Sequence, residues 1–114
     1  MITINHSPNR VDVAVLGEFT LADYQEFEEL VNFKIQFEGA VDLLVDLREM
    51  TGFTLDVAWE DLRFTKSHAK DFRYIAIVSD SQWVKWSAWL SLVSLGAEVA
   101  TFNQPEEALA WINS

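Results

Sequence analysis

Cysteine is absent from this sequence of 114 residues. The absence excludes disulfides, thiolate zinc sites, cysteine-ligated iron–sulfur clusters and cysteine nucleophiles, and it fits a reducing compartment. Long hydrophobic runs are also absent: no apolar stretch reaches the roughly 18 residues of a membrane-spanning helix, and residues 1–10 lack the pattern of a signal peptide. We therefore expect one cytoplasmic domain over residues 1–114, without stable membrane insertion.

Positive charge is scarce. Eight basic side chains stand against eighteen acidic ones, and the net charge is −10. An acidic protein of this kind repels phosphate backbones and anionic lipid. Binding to nucleic acid is therefore disfavoured.

Groups that could carry catalysis are few and poorly spaced. The two histidines, His6 and His68, lack the His-x-x-x-His or His-x-x-Glu-His spacing of a metal site. Neighbouring acids such as Glu60 and Asp61 point apart on a helix, and the four glycines are isolated, so no phosphate-binding loop is present. The sequence predicts a protein that is not an enzyme and that uses neither a cofactor nor a metal.

The first forty residues have clear local patterns. Apolar residues alternate with polar ones before and after residues 7–10, which predicts a strand, a turn and a second strand, and Gly17 breaks the second alternation. Thr20 and Asp23 then have nearly the spacing of a capping box. A helix should therefore begin near Leu21, and Gly39 offers its end.

The remaining patterns alternate between strand and helix. Apolar runs at residues 41–47 and 74–78 predict buried strands, with a loop at 49–54, and a last strand is expected at 98–102. Helical spacing occurs over 55–72 and 82–95, and Pro105 opens a short final helix. The order β-β-α-β-α-β-α-β-α predicts an α/β fold with a mostly parallel five-stranded sheet, an antiparallel N-terminal hairpin strand and four helices.

Half of the basic residues fall at helical spacing near the end of the predicted 55–72 helix. They are Arg63, Lys66, Lys70 and Arg73. Such a stripe could meet an acidic partner or an anionic head group, or it could complement the negative end of the helix dipole. We favour the structural interpretation.

Spacing and aromatic placement also carry a family resemblance over nearly the whole chain. The segments are 45–48 (VDLR), 55–62 (ending WEDL), 68–78 (HAKDFRYIAIV), 83–86 (WVKW) and 97–102 (AEVATF). Together they resemble the SpoIIAA-like (STAS-related) family of small bacterial proteins, which is largely uncharacterised. The resemblance implies a STAS-like α/β fold, which has also been compared with the lipid-binding CRAL-TRIO fold.

The same resemblance draws attention to the loop predicted after the third strand. Anti-sigma-factor antagonists of the STAS type carry an Asp-Ser-Ser-Gly-like motif there, and a partner kinase phosphorylates its serine. The comparable residues, 48–56, contain no serine, and Thr54 and Thr51 are the hydroxyls that remain. A phospho-switch at these threonines stays open, although a structural helix cap is the more common role.

The predicted 82–95 helix is unusually apolar. It contains three of the five tryptophans, and Lys85 is the one charge between residues 83 and 95. At about 100° per residue, one face, which we interpret as the core face, carries Trp83, Trp86, Trp89, Leu90 and Val93. The opposite face carries Val84, Ala88, Leu92 and Leu95.

Three explanations of this second apolar face remain open. We rank first a protein–protein interface, most simply in a homodimer, which makes the chain a non-enzymatic interaction module open to a regulatory role. The alternative is an apolar small-molecule or lipid-binding protein, whose pocket between the 55–72 and 82–95 helices would be lined by Phe53, Val57, Phe64, Trp86 and Trp89. The third explanation is plain exposed surface.

Overall fold

A computed structural model describes residues 1–53, 72–82, 84–86 and 97–113, with the backbone alone at His6 and Phe53. Its regular elements are β1 (Ile2–Ser7), β2 (Arg10–Phe19), α1 (Leu21–Glu38), β3 (Val41–Phe53), β4 (Phe72–Val78), β5 (Glu98–Phe102) and a C-terminal helix (Pro105–Ile112). Residues 82 and 84–86 are also helical. These ranges contain three helical segments, not the four predicted. Residues 55–71 of the helix predicted over 55–72 lie outside them, and Phe72 belongs to β4.

The five strands form one mixed sheet in the order β1-β2-β3-β4-β5. β1 and β2 are antiparallel, whereas β2, β3, β4 and β5 run parallel to one another. The predicted α/β fold, with its antiparallel N-terminal hairpin and otherwise parallel sheet, is confirmed. Asn9 makes the hairpin turn with φ +64°, a left-handed conformation that asparagine tolerates better than most residues.

Helix α1 begins where its capping residues predict. The Thr20 hydroxyl accepts a hydrogen bond from the Asp23 backbone N–H at 3.3 Å, and the Asp23 carboxylate accepts one from the Thr20 N–H at 3.2 Å. This reciprocal pair is a capping box, and it satisfies two backbone donors at the helix start. The helix ends before Gly39, whose φ of +80° suits glycine.

The core lies on both faces of the sheet because successive strand residues point to opposite sides. Ile75 and Ile77 face a cluster that includes α1, whereas Ala76 and Val78 face a cluster that includes the C-terminal helix. These four residues are fully buried, so β4 has the two-sided burial that its apolar run predicts. Burying one Val or Ile side chain completely contributes about 1.5–3 kcal/mol, so Ile75, Ile77 and Val78 each stabilise the fold by about that amount.

β2 and β3 continue beyond their predicted ends. Gly17 does not end β2, and the residues expected to form a loop at 49–54 continue β3 as far as Phe53. Backbone pairing explains both differences, because Gly17 lies opposite Met50 and Phe19 lies opposite Phe53 in the parallel ladder. The register shifts twice along this stretch, as expected when a bulge adds a residue to one strand.

The placement of Arg73 in the cationic stripe of the 55–72 helix is wrong. β4 begins at Phe72, so Arg73 belongs to a strand. Its Nη2 lies 3.0 Å from Oδ2 of Asp42, a buried carboxylate on β3. The ion pair compensates part of the cost of burying Asp42. Arg63, Lys66 and Lys70 lie outside the described residues.

Candidate interaction surface

The loop after β4 fixes the start of the helical segment that follows it. Ser79 is buried, its backbone N–H donates to the Phe102 carbonyl at 3.0 Å, and its hydroxyl accepts from the Ser81 N–H at 3.1 Å. The Ser81 hydroxyl accepts from the Val84 N–H at 3.3 Å, and the Ser81 carbonyl accepts from the Lys85 N–H at 3.0 Å. Of the serine and aspartate residues at 79–81, Ser81 therefore acts as the helix cap.

Val84 and Trp86 point to different environments. Val84 is partly buried and packs against the α1-side core, whereas 51% of Trp86 is exposed. Residues i and i+2 of a helix are about 200° apart around its axis, so when one faces the core the other faces solvent. The assignment of Trp86 to the core face and of Val84 to the opposite face is wrong, because both faces are apolar and spacing alone does not select the inner one.

Lys85 connects this helical segment to the residue that follows β5, the last strand of the sheet. Its Nζ donates to Asn103 Oδ1 at 2.5 Å, and Asn103 follows β5 directly. The Lys85 ammonium group, on the residue between Val84 and Trp86, is thus hydrogen-bonded to a neutral side-chain amide. As a result, Trp86 lies on a segment anchored by Ser81, Val84 and Lys85.

A second polar feature lies beside the end of β4. Asp46 is opposite Val78 in the ladder, and its carboxylate accepts two hydrogen bonds from the Arg48 guanidinium, from Nε at 3.0 Å and from Nη2 at 2.7 Å. Burial acts to raise the pKa of Asp46, but the hydrogen bonds and charge of Arg48 outweigh it, so the pKa is lowered. The Asp46 carboxylate and the Glu106 charge in turn raise the pKa of Arg48. The pair stays ionised at neutral pH.

The described part of this region combines polar anchors with an exposed aromatic side chain. Within the part of the chain that the structure describes, no group of three or more histidine, aspartate or glutamate side chains could hold a metal ion. Across those same residues, no helix is both long and apolar enough to cross a bilayer. After the end of β4, the structure therefore has a helical segment fixed by hydrogen bonds, with the large, half-exposed indole of Trp86.

The fold and the order of its elements match a known family. A family model described as SpoIIAA-like matches residues 10–113. The chain belongs to the SpoIIAA-like family. A comparison with curated proteins gave no match.

Two solved structures have the same fold as this SpoIIAA-like protein. One is an uncharacterised protein of the DUF3478 family from Shewanella loihica PV-4, with a TM-score of 0.79 and 24% identity over 97% of this chain and 91% of the other. The second is the anti-sigma factor antagonist SpoIIAA in its unphosphorylated form, with a TM-score of 0.67 and 10% identity over 100% and 99% of the two chains. At these identities the likeness establishes the fold alone.

The structure of the SpoIIAA-like protein places part of each predicted site. Val84 and Trp86 lie on the first turn of the helical segment, and Thr51 is exposed in β3, where it belongs to a strand and not to a loop. Phe53 ends β3 and has no described side chain. The other predicted residues, which lie outside the described ranges, are Thr54, Val57, Phe64, Ala88, Trp89, Leu92 and Leu95.

One exposed aromatic pair of the SpoIIAA-like protein is not among the residues that the sequence patterns single out. Phe33 and Phe37 on α1 are 60% and 68% exposed. Their positions are about 180° and 140° from the buried Tyr24 around the helix axis, so a projection of α1 contains the signal. Tyr24, Phe27 and Val31 define the inner face of α1, and Phe33 and Phe37 lie outside that spacing.

Proposed function

We propose that this protein is a non-enzymatic protein-interaction module that associates with a second copy of itself through the helix predicted at 82–95. The observation that carries the proposal is the half-exposed Trp86 beside the core-packed Val84. A helix that already has its inner contacts still presents a tryptophan outward. The coarser assignment to an interaction module is supported by the SpoIIAA-like fold and by its likeness to an anti-sigma factor antagonist.

The position of Val84 changes the surface that was first expected. The sequence pointed to the face of Val84, but this residue packs inward, so we place the interface on the face of Trp86. By sequence spacing alone, Trp89, Leu90 and Val93 share the face of Trp86, and all three lie outside the described residues. Tryptophan is enriched among the residues that dominate binding energy, because it buries a large area with few rotatable bonds.

Charge does not oppose contact between two copies at this surface. The protein carries −10 overall, yet residues 83–95 contain no acidic side chain. Lys85, the one charge in that range, is held by Asn103. A two-fold interface would therefore bring two nearly neutral, apolar surfaces together.

Light scattering across a dilution series tests the proposal. We expect the wild-type mass to rise from monomer to dimer with concentration and the Trp86→Glu variant to remain a monomer. Phe37→Glu is the matched control, because it places the same charge at another exposed aromatic position and should leave the dimer intact. A wild type that is monomeric throughout, or a Trp86→Glu variant that dimerises like the wild type, would overturn the proposal.

The apolar-ligand alternative and the phospho-switch stay predictions. Trp86 is the one pocket residue whose side chain is described, and it is half exposed. Native mass spectrometry of protein purified from cells would detect a co-purified apolar molecule. A phosphosite map would settle the modification of Thr51 and Thr54.

A further inference from the structure

The outer side of α1 carries two phenylalanine rings that pack against each other and not into the core. Phe33 and Phe37 have ring centroids 4.8 Å apart at 49°, and both side chains are more than half exposed. Residues four apart on a helix are neighbours, so the two rings form one continuous apolar patch. Paired exposed aromatic rings on a helix are a feature of interaction surfaces.

Acidic side chains extend this patch towards the start of α1. Glu29 and Glu26 are exposed and precede Phe33 by four and seven residues, spacings that put all of them on one side of the helix. We call Phe33, Phe37, Glu26 and Glu29 the α1 outer surface. Over this distance of 11 residues the helix rises about 16 Å, which is the length of about three turns.

Positive charge on α1 does not compensate these acids. The helix has five acidic residues and a single basic one, Lys34. Lys34 is buried on the inner side, where its Nζ lies 2.6 Å from Glu38 Oε2. The α1 outer surface therefore combines an apolar end with an acidic end.

The apolar end and the acidic end of the α1 outer surface together indicate which kind of partner can bind there. A second copy would bring another acidic α1 against the first, in a protein that already carries −10. An anionic membrane is repelled for the same reason. A partner that presents bulky apolar side chains and, one to two turns away, Lys or Arg side chains matches both ends of the surface.

We propose that the α1 outer surface docks a basic amphipathic helix of a different protein. Its apolar anchors would pack on Phe33 and Phe37, and its cations would lie beside Glu29 and Glu26. This inference goes beyond the proposed function, because it concerns another helix and a partner of opposite charge. The proposed dimer surface at Trp86 and the α1 outer surface can be tested separately, since they share no residue.

The test uses a fluorescent synthetic peptide of about 14 residues, helical by design, with two leucines four positions apart and two lysines one to two turns away. Its anisotropy is followed on titration with the full-length protein. We expect saturable binding that weakens as salt rises. A peptide with glutamate in place of both lysines should bind at least about tenfold more weakly.

Variants of the protein locate the binding. We expect the double variant Phe33→Ser, Phe37→Ser to weaken binding by about tenfold or more, because the apolar contact is lost. Glu26→Gln with Glu29→Gln should weaken it by about threefold to tenfold and flatten the salt dependence. Glu28→Gln, which removes one charge from the same helix away from this face, and Trp86→Ser are the controls that should bind normally.

Four results would overturn the proposal. They are no binding of the lysine peptide at about 1 mM protein, equal binding of the glutamate peptide, equal binding by the phenylalanine double variant, and a wild-type dimer that this double variant converts to a monomer. The last result would assign the surface to a second copy. Circular dichroism of each variant confirms that α1 remains folded.

Discussion

Lys34 and Glu38 form an ion pair at the inner end of α1, with Nζ of Lys34 2.6 Å from Oε2 of Glu38. The same ammonium donates to the backbone carbonyl of Ser7 at 3.0 Å, and the other oxygen of Glu38 accepts from the Asn9 N–H at 2.8 Å. The Asn9 carbonyl in turn accepts from the Asp42 N–H at 2.8 Å. One buried lysine thus connects the end of α1 to the β1–β2 hairpin, which is itself bonded to the start of β3.

Replacing Lys34 should destabilise the protein more than its position on a surface helix suggests. We expect Lys34→Met to lower the free energy of unfolding by about 1–3 kcal/mol, because Ser7 and Glu38 lose a buried charged donor. Urea denaturation measures the change. Gln36→Met, an exposed substitution in the same helix, should stay within about 0.5 kcal/mol. Equal stability of the two variants would contradict the structural role of the ion pair.

The capping box at Thr20 provides a second test. Thr20→Ala removes the hydroxyl that accepts from the Asp23 N–H, so the free energy of unfolding should fall by about 1 kcal/mol. Thr20→Ser keeps the acceptor and should restore most of that loss. Thr51→Ala, at an exposed strand position, controls for the loss of a threonine side chain. A Thr20→Ser variant as unstable as Thr20→Ala would show that the hydroxyl is not what stabilises α1.

Gly17 and Gly52 together test the cost of a left-handed backbone conformation without any steric clash. A Cβ at either Gly17 or Gly52 would meet nothing within 4 Å, but Gly17 alone of the two has a positive φ, of +73°. We expect Gly17→Ala to cost about 1 kcal/mol, since a side chain disfavours that conformation. Gly52→Ala should be neutral or slightly stabilising, because alanine reduces the freedom of the unfolded chain. Thermal and urea unfolding of both variants decide the matter, and an equal effect would argue against strain at Gly17.

Acid should weaken the contribution of Asp46. Because its pKa is lower in the folded than in the unfolded chain, the unfolded chain takes up more protons as the pH falls. The stabilisation is present above the ordinary carboxyl pKa of 3.8 and is lost as the pH falls below it, through the lowered pKa of the folded chain. We expect Asp46→Asn to lower the free energy of unfolding at pH 7 by less than about 1 kcal/mol, since the pair is partly exposed and screened.

Comparing stability against pH for the wild type and Asp46→Asn isolates this effect. The difference between the two should shrink as the pH falls. Arg48→Gln should behave in the same way, since it removes the other partner of the pair. Glu29→Gln removes an exposed carboxylate on α1 and controls for the change in net charge. A constant difference at every pH would contradict the lowered pKa.

Local chemistry predicted much of this fold. Thr20 and Asp23 marked the start of α1, Pro105 opened the last helix, and the apolar run at 74–78 gave a buried strand. These features depend on neighbours in sequence, such as a cap and its N–H group, or on a run that is apolar on both faces. For that reason they could be identified without knowing the rest of the molecule.

The length of β3 could not be identified in that way. Residues 49–53 have polar and glycine content typical of a loop, yet they pair with the end of β2, which is more than 30 positions away in sequence. A strand partner supplies backbone hydrogen bonds that local composition does not reveal. The buried Lys34 is a similar case, because its acceptor on Ser7 is 27 residues distant.

By itself, the sequence determined the order of the five strands, their mixed sheet and the acidic, cysteine-free character of the protein. It also identified an apolar helix near residue 82 and a conventional amphipathic α1. The tertiary structure alone decided that Trp86 rather than Val84 faces out at the start of the helical segment after β4, and that Lys34 of α1 is buried. The reason is physical, since a helix with apolar residues on two sides can pack through either one, and the sheet against which it packs makes the selection.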